Sequence, residues 1–162
     1  SPVKLSEESV SAHMAEVSRF LSHDREPVYS TEQLEEAMQT VMDKYAGGIA
    51  CDYRFNEKQL EIADLKIAQL YKLSDTLCAD DLQELMYIYE LRERLTVCRS
   101  VIAHLKARHE TRWHSFAENV DYPERDDKNW YKYVNSRLEN GEIKIILREI
   151  VKGGGTVYEH ND

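Results

Sequence analysis

The longest helical pattern in the chain is residues 80–109, DDLQELMYIYELRERLTVCRSVIAHLKARH. Its apolar side chains recur at alternating steps of three and four residues, which places them on one face of an α-helix. Those positions are Ile88, Leu91, Leu95, Cys98, Ile102 and Leu105. A lone helix would leave this stripe in water, whereas burying apolar surface is worth roughly 25 cal/mol per Å². The stretch therefore predicts a long helix that packs against other helices.

Two shorter segments upstream carry stripes of the same period. The first begins at Ser30 or Thr31, where Ser30 and Gln33 fit a capping box, and ends at Gly47-Gly48. The second begins at Asn56, again with a glutamine three residues later. Their apolar positions are Leu34, Met38, Val41 and Tyr45, then Leu60, Ala63, Ile67, Leu70, Ser74 and Leu77. Together with residues 80–109, these segments predict an antiparallel three-helix bundle joined by short links.

Further elements flank the predicted bundle. At the N-terminus, Val10, Met14, Val17 and Leu21 predict an extra helix over residues 6–22. Near the C-terminus, residues 131–137 and 142–148 predict two strands joined by Glu139-Asn140-Gly141, since Asn-Gly accepts positive φ angles. The predicted fold class is mainly α: a three-helix bundle with an extra N-terminal helix and a small C-terminal β-hairpin.

The same patterns predict how the chain is divided. We expect an N-terminal helix and linker over residues 1–29, the bundle over 30–115, a loop and hairpin over 116–152, and a loose tail over 153–162. The chain begins at Ser1 without an initiator methionine, which suggests a piece excised from a longer polypeptide.

Composition excludes several classes of protein. The chain has 21 Lys and Arg against 30 Asp and Glu, a net charge of −9, so neither a nucleic-acid surface nor an anionic membrane surface is expected. No apolar run approaches the roughly 20 residues that span a bilayer, so no membrane insertion is expected. Cys51, Cys78 and Cys98 are widely spaced and form no CxxC pair, which favours free thiols in a reducing compartment.

Motif spacing argues against catalysis by this chain. A zinc-peptidase helix needs HExxH, but His109-Glu110 is followed by His114, one position too far along. None of the six histidines follows a glutamate at the spacing of a di-iron bundle. His104 lies opposite the apolar stripe and is expected to be solvated. We therefore assign no catalytic, cofactor-binding or metal-binding residue.

The segment after the long helix is the most distinctive part of the sequence. It reads Glu110-Thr111-Arg112-Trp113 and then, over residues 121–130, DYPERDDKNW. It resembles the C-terminal helical domain of the flavoprotein subunit in the fumarate reductase and succinate dehydrogenase family, including its adenylylsulfate-reductase-like members. In that family a helix ends in Glu-Ser-Arg, often with Trp-Gly, before Asp-[Tyr/Phe]-Pro-x-Arg-[Asp/Asn]-Asp-x-x-Trp. The resemblance covers roughly residues 30–147.

The resemblance implies a supporting role. In the family, FAD lies in a preceding dinucleotide-binding domain, and the dicarboxylate site lies between that domain and a capping domain. This chain would then be a non-catalytic C-terminal domain of an FAD-dependent oxidoreductase, with no cofactor of its own. Its implied partners are the flavin-binding domain of the same chain and an iron–sulfur subunit. The implied location is cytoplasmic, with membrane association through partner subunits, and the parent's substrate stays open among fumarate, succinate and adenylylsulfate.

The resemblance also selects candidate site residues. They are Arg112, Trp113, Asp121, Tyr122, Pro123, Arg125, Asp126, Asp127 and Trp130. Aromatic and arginine side chains are typical of interfaces, but the same residues can cap the long helix and fix the hairpin within the domain. The internal role is favoured for Asp126, Asp127 and Trp130.

The chain departs from the family pattern at three positions. His114 replaces a frequent glycine, and Ala117 and Asn119 replace a frequent histidine and arginine. Any contact made there with the flavin domain would therefore differ. The alternative function is a free-standing acidic helical interaction module, although such a module has no need of the Arg-Trp and Asp-Tyr-Pro pattern.

Overall fold

The computed structural model describes residues 5–22, 26–112 and 117–150. The α-helices of these ranges are α1 (Glu7–Phe20), α2 (Thr31–Tyr45), α3 (Glu57–Leu73), α4 (Leu82–Ala107) and α5 (Asp127–Trp130). The strands are β1 (Arg54–Phe55), β2 (Glu118–Asn119), β3 (Lys132–Glu139) and β4 (Glu142–Glu149). The predicted fold class, mainly helical with a C-terminal hairpin, is confirmed. Across these ranges, every helix is too short or too polar to cross a membrane.

Helices α2, α3 and α4 pack around one apolar core. Nearly all of the predicted stripe positions are buried there. The buried members are Leu34, Met38, Val41, Leu60, Ala63, Ile67, Leu70, Ser74, Leu77, Ile88, Leu91, Leu95 and Ile102, and the unpredicted Leu85 joins them. Cys98 and Leu105, also predicted for the core, are half-buried and pack against it. Periodicity thus identified the core face of each bundle helix.

The helices begin at polar caps. Ser30 and Asn56 each form the predicted capping box with the glutamine three residues later. Helix α4 is capped by Asp81, whose Oδ1 accepts from the backbone N–H groups of Gln83 at 2.8 Å and Glu84 at 2.9 Å. These bonds satisfy donors that have no partner within the helix, which fixes each starting residue.

Two helices end earlier than predicted. Helix α3 ends at Leu73, and residues 74–76 tighten into a 3₁₀ turn in which the Ser74 hydroxyl donates to the Tyr71 carbonyl at 2.6 Å. Helix α4 ends at Ala107 instead of reaching His109, because Arg108 has extended backbone angles of φ −94° and ψ 107°. The prediction of a regular helix through Leu77 is therefore wrong, although Leu77 remains in the core.

The predicted stripe of α1 is wrong in its first half. Val10 and Met14 are 47% and 58% exposed, whereas the unpredicted Phe20 is fully buried. The Phe20 carbonyl accepts from the Ala79 N–H at 2.8 Å, and the Arg19 guanidinium lies 4.3 Å from the Phe20 ring centroid. Helix α1 thus contacts the bundle mainly through its C-terminal end.

The predicted hairpin is present, although β3 runs from Lys132 to Glu139 instead of over residues 131–137. Strands β3 and β4 pair antiparallel from Lys132 opposite Glu149 to Glu139 opposite Glu142. Asn140 and Gly141 form the turn with φ angles of 51° and 80°, the region that Asn and Gly tolerate. The hairpin lies against α4, where the Ser100 and Ser136 hydroxyls are 3.1 Å apart.

A short parallel pair completes the fold. Strands β1 and β2 align Arg54 with Glu118 and Phe55 with Asn119. Both lie in stretches predicted to be irregular, since two residues are too few to show a period. The pair brings the loop after α4 back beside the start of α3, which positions the candidate site.

Candidate interaction site at the end of the long helix

The carboxylate of Glu110 is buried just after the C-terminal end of α4. The side chain of Glu110 has no exposed surface. Arg112 donates to it through Nε at 2.9 Å and Nη2 at 3.0 Å, the Asp126 N–H donates at 2.9 Å, and Arg108 Nη1 also donates. Burial alone would raise the pKa of Glu110, but the hydrogen bonds from Arg112, Asp126 and Arg108 outweigh it and hold that pKa below its ordinary value.

The two arginines extend from this carboxylate to neighbouring elements. Arg112 Nη1 lies 2.8 Å from Asp127 Oδ1 in α5. Arg108 donates to the carbonyls of Trp130 at 3.0 Å and Lys132 at 3.1 Å. A planar guanidinium group can donate to several acceptors at once because its N–H groups point in fixed directions. The end of α4 is thereby joined to α5 and to the start of β3.

Asp126 and Asp127 make different contacts. Asp126 caps α5, since its Oδ1 accepts from the Asn129 N–H at 3.1 Å and its Oδ2 from Asn129 Nδ2 at 2.7 Å, and these bonds lower the pKa of Asp126. Asp127 accepts from Arg125 Nε at 2.9 Å, and its pKa is lowered by Arg125 and then by Arg112. Asp127 and Arg125 are more than half exposed, so their pair contributes little to stability.

Thr111 fastens the loop to the end of the helix. Its hydroxyl donates to the Tyr122 carbonyl at 2.9 Å and accepts from the Asn119 N–H at 3.0 Å. Both Thr111 and Asn119 are buried. Asp121 continues this attachment, since its Oδ2 accepts from the Glu57 N–H at 2.8 Å in the first turn of α3. The loop is therefore bonded both to the start of α3 and to the segment that follows α4.

An aromatic surface lies beside the charged cluster. The Tyr122 and His109 rings are stacked, with centroids 4.5 Å apart and planes 9° apart. The Trp130 ring lies 5.6 Å from the His109 ring, and Pro123 is exposed next to Tyr122. Trp113, the remaining predicted site residue, lies outside the described residues, as does His114.

The structure thus brings Arg112, Arg125, Asp126, Asp127 and Trp130 into one cluster and places Asp121 and Tyr122 on the adjoining loop. The central residues of this cluster are not among the predicted site residues. They are Arg108, Glu110, Thr111 and Asn119. Glu110 and Thr111 stand in the motif, but nothing in the sequence marks a carboxylate or hydroxyl as buried.

The prediction that His104 is solvated is wrong. Its ring is half-buried, and its Nε2 has neither solvent contact nor a hydrogen-bond partner. It borders a cavity of about 290 Å³ that Phe55, Leu105 and Val134 also line. The hairpin covers this flank of α4, which helical periodicity alone could not reveal. Within residues 5–22, 26–112 and 117–150, no group of three or more His, Cys, Asp or Glu is arranged to hold a metal ion.

Sequence comparisons identify relatives of the chain. The family described as "Fumarate reductase flavoprotein C-term" matches residues 35–153. The chain is 31% identical over 108 residues to the adenylylsulfate reductase subunit alpha of Megalodesulfovibrio gigas. That alignment covers 65% of this chain but only 16% of the relative.

Solved structures give the same result. The chain superposes on adenylylsulfate reductase from Archaeoglobus fulgidus with a TM-score of 0.81 and 32% identity, over 93% of this chain and 26% of that one. It superposes on quinol fumarate reductase from E. coli with a TM-score of 0.70 and 18% identity, a likeness of fold over 91% of this chain and 26% of that one. The chain therefore spans about a quarter of the length of these structures.

Proposed function

Because the chain belongs to the fumarate reductase flavoprotein C-terminal family, we propose that it is the non-catalytic C-terminal domain of an FAD-dependent oxidoreductase subunit. The match over residues 35–153 carries this proposal. FAD and the reacting groups would be held by the polypeptide that precedes this domain, and the domain would support them mechanically. The family match also favours this function over a free-standing interaction module.

The Glu110 cluster supports a mechanical role. Its carboxylate is fully bonded to Arg108, Arg112 and Asp126, so it is poorly suited to exchange protons with a substrate. The cluster holds α4, α5 and β3 together beside the aromatic surface. A pre-ordered surface loses little conformational entropy when it docks on another domain.

We propose that this aromatic surface contacts the flavin-binding domain. It comprises His109, Tyr122, Pro123, Arg125 and Trp130. Tyrosine, tryptophan and arginine are enriched in interfaces, and Tyr122 is 38% exposed even though its ring is stacked.

We further propose that the parent protein belongs to the adenylylsulfate branch and associates with an iron–sulfur subunit in the cytoplasm, with any membrane contact made by partner subunits. The identities support the branch, since they are 31% and 32% to the two adenylylsulfate reductases but 18% to the fumarate reductase.

The reading frame upstream of this chain tests the proposal. We expect it to encode a strand, a GxGxxG turn and a helix typical of dinucleotide binding, followed by a second, capping domain. A frame that opens near Ser1 would contradict the proposal.

Purification from the native organism tests the partner. We expect the intact protein to elute with a subunit that contains iron and acid-labile sulfide in equal amounts. Elution of the intact protein without iron would contradict an iron–sulfur partner and leave the flavoprotein assignment standing.

A further inference from the structure

The N-terminal half of α1 is uncovered. Every residue from 5 to 15 is exposed, including Leu5 at 76%, Val10 at 47% and Met14 at 58%. Val10, Met14, Val17 and Leu21 follow helical spacing and form one stripe, whose last two members pack against the core. The stripe thus runs from the core of the domain out into solvent.

A different flank of α1 fixes the helix to the bundle. The His13 and Tyr89 ring centroids are 5.9 Å apart, and Glu16 lies 3.9 Å from Arg92. Phe20, which follows on the same flank, is fully buried. Because these contacts fix the orientation of α1 on the bundle, the exposed half of the stripe faces a fixed direction. It does not belong to a frayed helix end.

The position of α1 in the chain indicates what covers the stripe. The helix lies before residue 35, where the match to a C-terminal domain begins, and this chain spans 26% of the solved adenylylsulfate reductase chain. In such a protein α1 is the element next to the preceding polypeptide. A second copy fits less well, because three exposed apolar side chains fall far short of the roughly 800 Å² per partner of a stable dimer.

We propose that the exposed half of the stripe, Val10 and Met14, forms together with Leu5 just before α1 an intramolecular docking surface covered by the flavin-binding part of the same polypeptide. The proposal rests on the proposed function and extends it, since it adds a second contact separate from the aromatic surface beside Glu110. The stripe would pack against an apolar surface of the preceding domain. This contact would fix the orientation of the two domains relative to each other.

Methionine oxidation by hydrogen peroxide tests this proposal without any substitution. Met14 is 58% exposed, Met86 on α4 is 49% exposed, and Met38 is 6% exposed. Rates would be measured by mass spectrometry on the 162-residue chain and on the intact flavin-loaded polypeptide, each normalised to N-acetylmethionine in the same tube. We expect Met14 to react about ten-fold more slowly in the intact polypeptide, and Met86 to change little, since exposure governs oxidation. Met38 reports whether either protein unfolds.

The outcomes separate the two proposals. An intact polypeptide that holds flavin while Met14 reacts as fast as in the 162-residue chain would overturn the docking surface alone. An intact polypeptide without flavin would overturn the proposed function and this inference with it. As a second arm, Met14→Lys in the intact protein should speed proteolysis between the domains several-fold, whereas Met86→Lys should not. Equal effects of the two variants would also contradict the proposal.

Discussion

At the scale of single residues, Glu110 determines how the C-terminal part is held. Its carboxylate has no exposed surface and accepts bonds from two arginines and one backbone N–H. Removing one partner of a buried ion pair is more damaging than replacing the whole pair, because a charge is then left uncompensated. Glu110 is therefore the residue whose replacement should matter most in this domain.

Glu110→Gln should destabilise the domain strongly. Arg108 and Arg112 would face a neutral amide, and we expect a loss of about 3 kcal/mol in the free energy of unfolding by urea. Glu118→Gln is the matched control, since its partner Arg54 is 62% exposed, and it should cost less than about 1 kcal/mol. Equal losses in the two variants would refute the central position of Glu110.

Stability should also depend on pH through Glu110. Its pKa is lowered in the folded state, so its contribution is complete above the unfolded value near 4.5 and is lost as pH falls through the lower folded value. Urea midpoints from about pH 7 to about pH 3 should fall more steeply below pH 4.5 in the wild type than in Glu110→Gln. Parallel curves for the two proteins would contradict this assignment.

At the scale of elements, the sequence predicts the regular parts and misses the short ones. Helices α2 to α4 and the hairpin follow from period, caps and the Asn140-Gly141 turn, because each signal is local. The β1–β2 pair depends on contacts between residues far apart in the chain, such as Val120 N–H with the Phe55 carbonyl at 2.9 Å, and α5 is a single turn of four residues, too short to show a period. The motif likewise located most of the charged cluster, but burial of Glu110 and Thr111 could not be predicted locally.

Thr111→Val should loosen the β1–β2 pair. The Asn119 N–H would lose its acceptor and the Tyr122 carbonyl one donor, which costs about 1–3 kcal/mol for buried groups. Hydrogen exchange should quicken at Asn119 and Val120. Thr76→Val, at an exposed hydroxyl, is the control and should leave that exchange unchanged; unchanged exchange in Thr111→Val would argue against the attachment.

Gly141→Ala tests the hairpin turn. An added Cβ would meet no atom within 4 Å, so the cost is confined to the backbone, whose φ is +80°. We expect a loss of about 1 kcal/mol in urea unfolding, and a smaller change for Asn140→Gly, because glycine accepts positive φ freely. A variant as stable as the wild type would be inconsistent with this turn.

At the scale of the whole molecule, we propose a supporting domain whose described residues offer two docking surfaces. The aromatic surface lies at the end of α4, and the second surface consists of Val10 and Met14 on α1 with Leu5 just before that helix. The buried carboxylate of Glu110 is bonded inside the domain to Arg108, Arg112 and Asp126. We propose that FAD is held by the polypeptide that precedes this domain and that this domain supports it mechanically.

The FAD content of the purified proteins tests whether the preceding polypeptide, and not this domain, holds the flavin. The 162-residue chain and the intact polypeptide would be purified in the same way, and the FAD released by denaturation would be measured for each. We expect a colourless 162-residue chain and an intact polypeptide with one FAD per chain. Stoichiometric FAD on the 162-residue chain, or an intact polypeptide that holds none, would contradict it.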